Sequence, residues 1–348
     1  MAVPVREGYQ TPPAYVGRQD SPVAGPLPYR AAVRDALYGP GGFYRRPEGP
    51  AGHFRTSVHA SPLLLAEAVA RLAERSGLRR VVDVGAGRGE LLTALHGLDP
   101  GLALHGVDVV ARPDRLPSAV AWSARLPRGG TALLLAHEWL DDVPLDVVEL
   151  APDGPRTVLV DPVTGAESLG PRPRRADRRW LDAWWPLRRL GDRAEVGRSR
   201  DAAWHGAVRS LRGGLAVAVD YGHVRAERAA GAYAAGTLRG HRGGRLVPPV
   251  PDSSCDVTAA VAMDSVAAAG VAAGARAALL TTQRAVLGAL LPPSSSGGAA
   301  ALERQARLAE LRDPDGLGGF CWLLQALGGH ALPAALDGLG TAPCRSLV

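Results

Sequence analysis

The chain has 348 residues, of which 46% are hydrophobic and 21% are charged. This ordinary globular composition excludes a disordered chain, and the length predicts about two domains or one large α/β domain with insertions. The basic residues are 40 arginines without any lysine, against 34 acids, and isoleucine and asparagine are absent too. A GC-rich genome explains this usage, so the net charge of +6 is weak evidence for nucleic-acid binding.

The sequence shows no targeting segment and no metal-binding pattern. The N-terminal residues lack an apolar core of signal-peptide length, and no apolar run approaches the roughly 18 residues of a membrane span. The three cysteines are far apart and form no C-x-x-C knuckle, and the nine histidines are scattered, so we expect no metal site. These features predict a cytoplasmic protein in a reducing compartment, without a membrane partner.

The first half of the chain alternates between helical and strand patterns. Residues 1–27 are rich in proline and glycine, which predicts a flexible N-terminal arm. Apolar residues at helical spacing within 28–46 and 57–76 predict a helical cover over 28–77. Short apolar runs then flank a helical segment, which is typical of βαβ units and a parallel sheet. The predicted strands are 81–84, 102–110, 120–126 and 131–139, and the helix is 89–98.

The second half begins with a predicted antiparallel hairpin at 147–162, which turns at Asp153 and Gly154, and a buried strand at 214–222. Toward the C-terminus we predict a helix at 256–275, a strand at 275–282, a helix at 284–291, a loop at 292–298 and a helical stretch that includes 301–312 and 320–327. The predicted parts are an arm (1–27), a cover (28–77), a Rossmann-like core (78–146), an insertion of a hairpin plus helices (147–210), and the remaining strands with C-terminal helices (211–348).

The segment 171–200 holds ten arginines, four acids and three tryptophans. A solvated insertion is the first interpretation, because acids occur throughout and the tryptophans suit an amphipathic helix packed on the core. Docking of a partner protein is an alternative. A nucleic-acid stripe is the least supported interpretation.

A glycine-rich loop follows the first predicted strand and opens a helix. It contains Asp83, Gly85, Ala86, Gly87 and Gly89, in the pattern acid-x-G-x-G-x-G. Glycines let the backbone approach a ligand closely, and a helix N-terminus favours negative charge. A dinucleotide fingerprint needs its third glycine one residue later. The loop instead resembles the first motif of class I S-adenosylmethionine (SAM) methyltransferases, with NAD or FAD binding and a plain tight turn as alternatives.

The next predicted strand ends in Asp108, where a carboxylate can accept hydrogen bonds from both ribose hydroxyls of an adenosine-containing cofactor. A solvated aspartate at a strand end is the alternative. We assign Asp83 to cofactor contact as well, although a helix-capping or loop-stabilising acid would show the same pattern.

Polar residues cluster where the fourth predicted strand ends, at His137, Glu138, Asp141 and Asp142. Ligands of an open α/β sheet bind at the carboxyl ends of the strands, so this cluster is placed for chemistry. Glu138 can position an acceptor nitrogen and take its proton, with Asp141 in support, if the segment turns helically. A helix N-terminus with capping acids is the alternative.

Further motifs occur in a consistent order along 28–327. The glycine loop is similar to V-E-x-G-x-G-x-G-x-L, and 137–144 to N-E-x-x-D-A-x-P. Other matches are 37–44 (L-Y-x-P…G-Y-Y), 52–57 (G-D-F-x-T-S), 220–222 (D-Y-G), 237–242 (T-L-R) and 256–259 (D-[IL]-T-A). Together they resemble the MidA-like SAM-dependent methyltransferases, a family that includes the mitochondrial complex I assembly methyltransferase.

This resemblance implies a class I methyltransferase fold, which is a Rossmann-like α/β sheet with an N-terminal helical cover and an insertion after the fourth strand. It implies SAM as the cofactor, with Thr56, Ser57 and His137 beside the glycine loop. It also implies a protein substrate and favours an arginine nitrogen, because the mitochondrial member dimethylates an arginine. Glu138 and Asp141 would then be the catalytic residues.

Three positions depart from the family pattern. His53, His137 and Ala260 stand where the family has Asp, Asn and His. An imidazole titrates near neutral pH and an amide does not, so His137 bears most on retained catalysis. A non-catalytic assembly or interaction factor and a small-molecule methyltransferase therefore remain alternatives. The sequence does not indicate the oligomeric state.

Overall fold

The computed structural model describes residues 25–46, 56–292 and 298–340. Most of the predicted arm, His53 and most of the predicted loop at 292–298 lie outside these residues. The helices are α1 (Tyr29–Tyr38), α2 (Ser57–Ala60), α3 (Pro62–Arg75), α4 (Glu90–Leu98), α5 (Arg175–Trp184), α6 (Arg198–Arg209), α7 (Arg225–Ala229), α8 (Met263–Ala272), α9 (Gln283–Leu290) and α10 (Ala299–Leu311). Short 3₁₀ helices lie at Phe43–Arg45, Leu317–Gly319 and Ala334–Leu336.

The strands form one large sheet and several small ones. They are β1 (Leu27–Pro28), β2 (Arg80–Val84), β3 (Ala103–Val107), β4 (Ala121–Ser123), β5 (Thr131–His137), β6 (Asp146–Ala151), β7 (Gly154–Val160), β8 (Glu167–Leu169), β9 (Arg193–Val196), β10 (Gly213–Asp220), β11 (Gly222–His223), β12 (Arg239–Arg242), β13 (Arg245–Val247), β14 (Asp256–Thr258), β15 (Val261–Ala262), β16 (Ala277–Thr282) and β17 (Cys321–Leu327).

The central sheet has seven strands in the order β16-β17-β10-β5-β2-β3-β4. Strands β10, β5, β2, β3 and β4 pair in parallel, whereas β17 runs antiparallel to both of its neighbours. The carboxyl ends of β2, β3 and β5 therefore meet at one edge of the sheet, where Asp83, Asp108 and His137 were predicted to act.

Apolar side chains cover both faces of this sheet, so β10 and β17 are buried along their whole length and β5 is exposed only at Thr131. Leu133 and Leu135 of β5 pack in the cluster that includes residues of α3, α4 and α9, whereas Leu134 and Ala136 pack in the cluster with residues of α6 and α8. Strands buried on both faces show continuous apolar runs instead of alternation, which explains the short runs seen in the sequence.

The insertion carries a sheet of its own, in the order β1-β7-β6-β9, with β8 also paired to β7. Strands β6 and β7 form the predicted hairpin, and Gly154 takes a φ of 111° at its turn. The N-terminal strand β1 pairs with β7, and α1 packs against the same sheet through Val33 and Leu37. The first part of the predicted cover is thus joined to the insertion, while α3 packs on the central sheet.

Three predicted elements differ from the structure. Residues 320–327 were predicted to be helical, but Cys321–Leu327 is the strand β17, buried along its whole length. The helix predicted at 256–275 begins only at Met263, after β14 and β15. The helix predicted at 57–76 is divided into α2 and α3, because Pro62 lacks the N–H that would continue the first helix and instead begins the second.

The close approach of β10 to β5 requires a glycine at position 214. Its φ is 108°, and a Cβ there would lie 2.1 Å from the carbonyl oxygen of Ala132 on the neighbouring strand. Gly214→Ala should therefore lower the free energy of unfolding by about 3 kcal/mol, from a disfavoured φ and a backbone clash. Gly231→Ala is the control, because its φ is 84° but no described atom lies within 4 Å of the added Cβ.

The control should cost about 1 kcal/mol, because it adds only the disfavoured φ. Urea unfolding followed by circular dichroism measures both values. Equal losses in the two variants would contradict the close approach of β10 to β5.

Candidate active site

The glycine loop connects β2 to α4 in a conformation that needs glycine. Gly85, Gly87 and Gly89 have φ of 74°, 57° and 78°, and Gly89 is the N-cap of α4. A Cβ on Gly85 would lie 2.8 Å from Cδ1 of Trp139. The N–H groups of Gly85 and Ala86 donate to the carbonyl of Val107 at 2.9 and 3.3 Å, which holds the loop against β3.

Asp108 lies immediately after β3, beside this loop. Its Oδ2 accepts a hydrogen bond from the N–H of Gly87 at 2.8 Å, and its Oδ1 accepts one from the N–H of Val110 at 3.1 Å. Burial raises the pKa of Asp108. Asp83 is buried beneath the loop, and burial, with further contributions from Asp108 and Glu90, raises its pKa to about 8. The two predicted cofactor-contact acids are thus neighbours of the same loop.

The short helix α2 connects the N-terminal segment to both sides of the site. Thr56 is its N-cap, and the Thr56 hydroxyl accepts a hydrogen bond from the N–H of His59 at 3.2 Å. The N–H of Ser57 donates to Oε1 of Glu138 at 2.8 Å. On the other side, Nε2 of His59 lies 3.6 Å from Oε1 of Glu90 at the start of α4.

Glu138 follows the last residue of β5 and takes an unusual backbone conformation. Its φ of 49° lies in the left-handed region, which non-glycine residues rarely adopt and which is often found at functional sites. Its N–H donates to the carbonyl of Val219 at 2.7 Å, so the strained residue is tied to β10. Burial raises the pKa of Glu138 to about 8.

His137 is the last residue of β5 and is only 7% exposed. Neither ring nitrogen has a hydrogen-bond partner among the described residues, and Nδ1 lies 3.4 Å from Oε1 of Glu138. Burial lowers the pKa of His137 to about 4, so the ring is neutral at pH 7. A neutral imidazole has one hydrogen-bond donor and one acceptor. It can therefore replace the donor and acceptor of the asparagine amide that the family pattern has at this position.

Two buried side chains, those of Asp220 and Arg200, hold the loop that follows Glu138. Oδ2 of Asp220 accepts hydrogen bonds from the N–H groups of Leu140 and Asp141 at 2.9 and 3.2 Å. The guanidinium of Arg200 donates to the carbonyl oxygens of Asp141, Val143, Ala259 and Ala260. Ala260, one of the departures from the family pattern, therefore contributes its backbone to this arrangement.

The carboxyl group of Asp141 is buried in the cavity wall. The side chain is nine-tenths buried, with 7% of the residue exposed, and its Oδ1 has no hydrogen-bond partner within the described part of the chain. Burial raises the pKa of Asp141 to about 6, and the nearby Arg200 opposes the rise. A carboxyl group in this setting gains from a cationic or hydrogen-bond-donating partner.

The sequence did not predict the side chains that contact Asp142. The hydroxyl of Tyr44 contacts Oδ2 of Asp142 and lies 2.9 Å from Oδ2 of Asp256, and the hydroxyl of Tyr38 donates to the carbonyl of Asp142 at 3.2 Å. The sequence held one indication that position 142 is unusual. Asp142 occupies the position of the alanine in the family pattern N-E-x-x-D-A-x-P. No local pattern connects Tyr44 or Asp256 to it.

One cavity of about 1420 Å³ brings most of the predicted site residues together. Its lining includes Thr56, Asp83, Gly85, Ala86, Gly87, Asp108, His137, Glu138 and Asp141. Gly89 and Ser57 do not line the cavity. They act through α4, which Gly89 caps, and through Glu138, to which Ser57 donates a hydrogen bond.

These residues fit SAM by their chemistry. The backbone of Gly85, Ala86 and Gly87 lines the cavity, and Asp108 stands at the end of the adjacent strand. The loop and Asp108 would hold the adenosine and methionine portions. Among the described residues, no group of three or more His, Cys, Asp or Glu side chains is placed to hold a metal ion. In the same residues, no helix has the length and apolar character needed to cross a membrane.

The sheet order and the site at its carboxyl edge define a class I SAM methyltransferase fold. Residues 64–281 match the family model described as "Putative S-adenosyl-L-methionine-dependent methyltransferase". The chain belongs to this family, which confirms the resemblance to MidA-like proteins, and it is a SAM-dependent methyltransferase. None of the curated proteins matches the chain.

Two solved structures of one superfamily from Burkholderia thailandensis are similar to this chain. The first, bound to S-adenosyl-homocysteine, has 24% identity and a TM-score of 0.75 over 90% of this chain and 91% of its own. The second, a native structure, has 27% identity and a TM-score of 0.71 over the same shares. They confirm the predicted fold class.

Gly87→Arg is expected to abolish binding of S-adenosylhomocysteine. The substitution forces a side chain onto a residue with φ of 57° in the cavity wall, and it disturbs the N–H that reaches Asp108. Isothermal titration calorimetry measures the affinity. Gly97→Arg is the matched control, because Gly97 is exposed on α4 and no described atom lies within 4 Å of an added Cβ. Unchanged binding by Gly87→Arg would exclude this loop as the cofactor site.

Proposed function

We propose that the protein transfers a methyl group from SAM to an arginine nitrogen of a protein substrate. The observation that carries the proposal is the carboxyl group of Glu138, which lines the cavity next to the glycine loop and is held there by a strained backbone. Asp141, with an unpaired carboxyl oxygen, lines the same wall.

The chemistry of an arginine acceptor requires such groups. A free guanidinium is protonated at pH 7, with a pKa above ~12, so it attacks poorly until a proton leaves. Carboxylates bind a guanidinium through charge-assisted hydrogen bonds and can accept its proton. When bound, SAM supplies an electrophilic methyl group. Glu138 then orients one acceptor nitrogen and takes its proton, while Asp141 helps to hold the cation.

The cavity has room for an acceptor beside the cofactor. Its volume of about 1420 Å³ exceeds the roughly 300–1,000 Å³ of a pocket for one small ligand. Beyond Asp142 its walls come from the insertion, at Val148, Thr157, Leu159 and 171–174. This part of the cavity, which we call the insertion side, offers a path for the chain segment that carries the acceptor side chain.

A small-molecule acceptor is the alternative. The same carboxyl groups and the same cavity would bind a compound with a cationic nitrogen. The insertion side of the cavity would hold the rest of that compound. The protein substrate is preferred because of the resemblance to the mitochondrial member. We also propose that the protein is cytoplasmic.

Glu138→Gln should lower methyl transfer at least about 100-fold while S-adenosylhomocysteine binds as before, because an amide cannot accept the acceptor's proton. Transfer of labelled methyl from SAM into a cell lysate, followed by acid hydrolysis and analysis of methylarginines, measures the rate and the acceptor. Glu74→Gln is the matched control, because Glu74 is exposed on α3, far from the cavity lining.

Label confined to small molecules, or to base-labile methyl esters, would exclude protein arginine as the acceptor. Unchanged transfer by Glu138→Gln would exclude the assigned role of Glu138. The acceptor would still be identified from the methylated products of the wild-type protein.

The rate should rise with pH in the wild-type protein. Burial raises the pKa of Glu138 to about 8, so below that pH the group is protonated and cannot act as a base. The positive charge of the bound cofactor lowers this pKa, so the midpoint of the rise should lie at or below about 8. Initial rates between pH 5 and 9 at saturating SAM measure it. A rise of the same size and midpoint in the residual activity of Glu138→Gln would assign the titration to another group.

A further inference from the structure

The hydroxyl of Tyr44 stands between two carboxyl groups. It contacts Oδ2 of Asp142, from the loop after β5, and lies 2.9 Å from Oδ2 of Asp256, on β14. A phenol has one hydrogen, so it can donate to one of these oxygens only. The other oxygen is satisfied when its carboxyl group carries a proton and donates to the phenol. The geometry therefore favours one shared proton on the Asp142–Tyr44–Asp256 triad.

The charged surroundings do not supply a cation to this triad. Asp141 and Asp220 lie nearby, and burial together with these acids raises the pKa of Asp142 well above its ordinary value. The buried guanidinium of Arg200 donates to four backbone carbonyl oxygens, including that of Asp141. Among the other titratable neighbours, Tyr38 donates its hydroxyl to the backbone of Asp142, and the hydroxyl of Tyr221 contacts that of Thr258.

The triad stands at the wall of the cavity. Asp142 lines the cavity, and its Oδ1 is buried without a hydrogen-bond partner in the described residues. The ring of His137 lines the same cavity, and its Nδ1 lies 3.4 Å from Oε1 of Glu138. The rings of Tyr38 and Tyr44 stack at 5.4 Å between centroids, with an angle of 19° between their planes, and also line it.

Carboxyl groups and aromatic rings together recognise planar cations, because a guanidinium forms paired hydrogen bonds with carboxylates and stacks on aromatic faces. We propose that Asp142 binds the acceptor guanidinium on the side remote from Glu138, and that the proton shared through Tyr44 with Asp256 passes to solvent when the cation enters. This inference rests on the proposed function and adds a specificity-determining residue to it.

The test uses two ligands of the same shape. Butylguanidine is a cation, and butylurea is its neutral isostere. Titration calorimetry of the protein saturated with S-adenosylhomocysteine, at pH 7 in phosphate and in Tris, gives the affinity and the number of protons released. The wild-type protein should bind butylguanidine at least tenfold more tightly than butylurea.

Two variants separate cation binding from proton sharing. Asp142→Asn should weaken butylguanidine binding at least tenfold. Asp256→Asn should keep the affinity within threefold, because its amide can donate to the Tyr44 oxygen and leave Asp142 ionised. It should release about one proton fewer per ligand than the wild-type protein. A merely structural role of Asp256 would not change the proton count. Asp182→Asn is the control, because Asp182 is exposed on α5.

Failure of this inference can be distinguished from failure of the proposed function. Butylguanidine binding no tighter than butylurea, undetectable binding of both, or an unchanged affinity in Asp142→Asn would overturn the role of Asp142. Equal proton release by the wild-type protein and Asp256→Asn would overturn the shared proton. Methylarginine analysis of the lysate judges the proposed function separately.

Discussion

The site depends on how one irregular loop is held after β5. Backbone groups in an irregular turn need partners when they are buried, and here two side chains supply them. The Asp220 carboxyl accepts hydrogen bonds from two N–H groups, and the Arg200 guanidinium donates to four carbonyl oxygens. Because these groups fix the backbone of 140–143, the carboxyl groups of Glu138, Asp141 and Asp142 keep their places in the cavity wall.

The insertion and the N-terminal segment form one structural unit that closes the cavity. Strand β1 completes the insertion sheet, and α1 packs on its face, so residues far apart in sequence share one apolar core. Tyr38 and Tyr44 extend from this unit to the loop after β5. The central sheet thus supplies the part of the cavity around the glycine loop, and the added unit supplies the part around Tyr38 and Tyr44.

Local patterns in the sequence predicted which strand-end residues come together at the carboxyl edge of the sheet. The glycines and Asp108 are recognised by their spacing from strand ends, and Glu138 by its place after a strand. Tyr44 could not be assigned, because it lies 98 positions from Asp142 and 212 from Asp256 and only tertiary structure joins them. The strand β17 was mistaken for helix because it is buried on both faces, so its apolar run has no period of two.

The place of β17 also sets the order in which the protein can assemble during synthesis. This strand fills the gap between β10 and β16, yet it is made after both of them. Until residue 327 has left the ribosome, β10 presents an unpaired apolar edge, which is the kind of surface that pairs wrongly with other chains. The nascent protein therefore has a long interval in which chaperone protection of that edge is valuable, and the central sheet closes only late in translation.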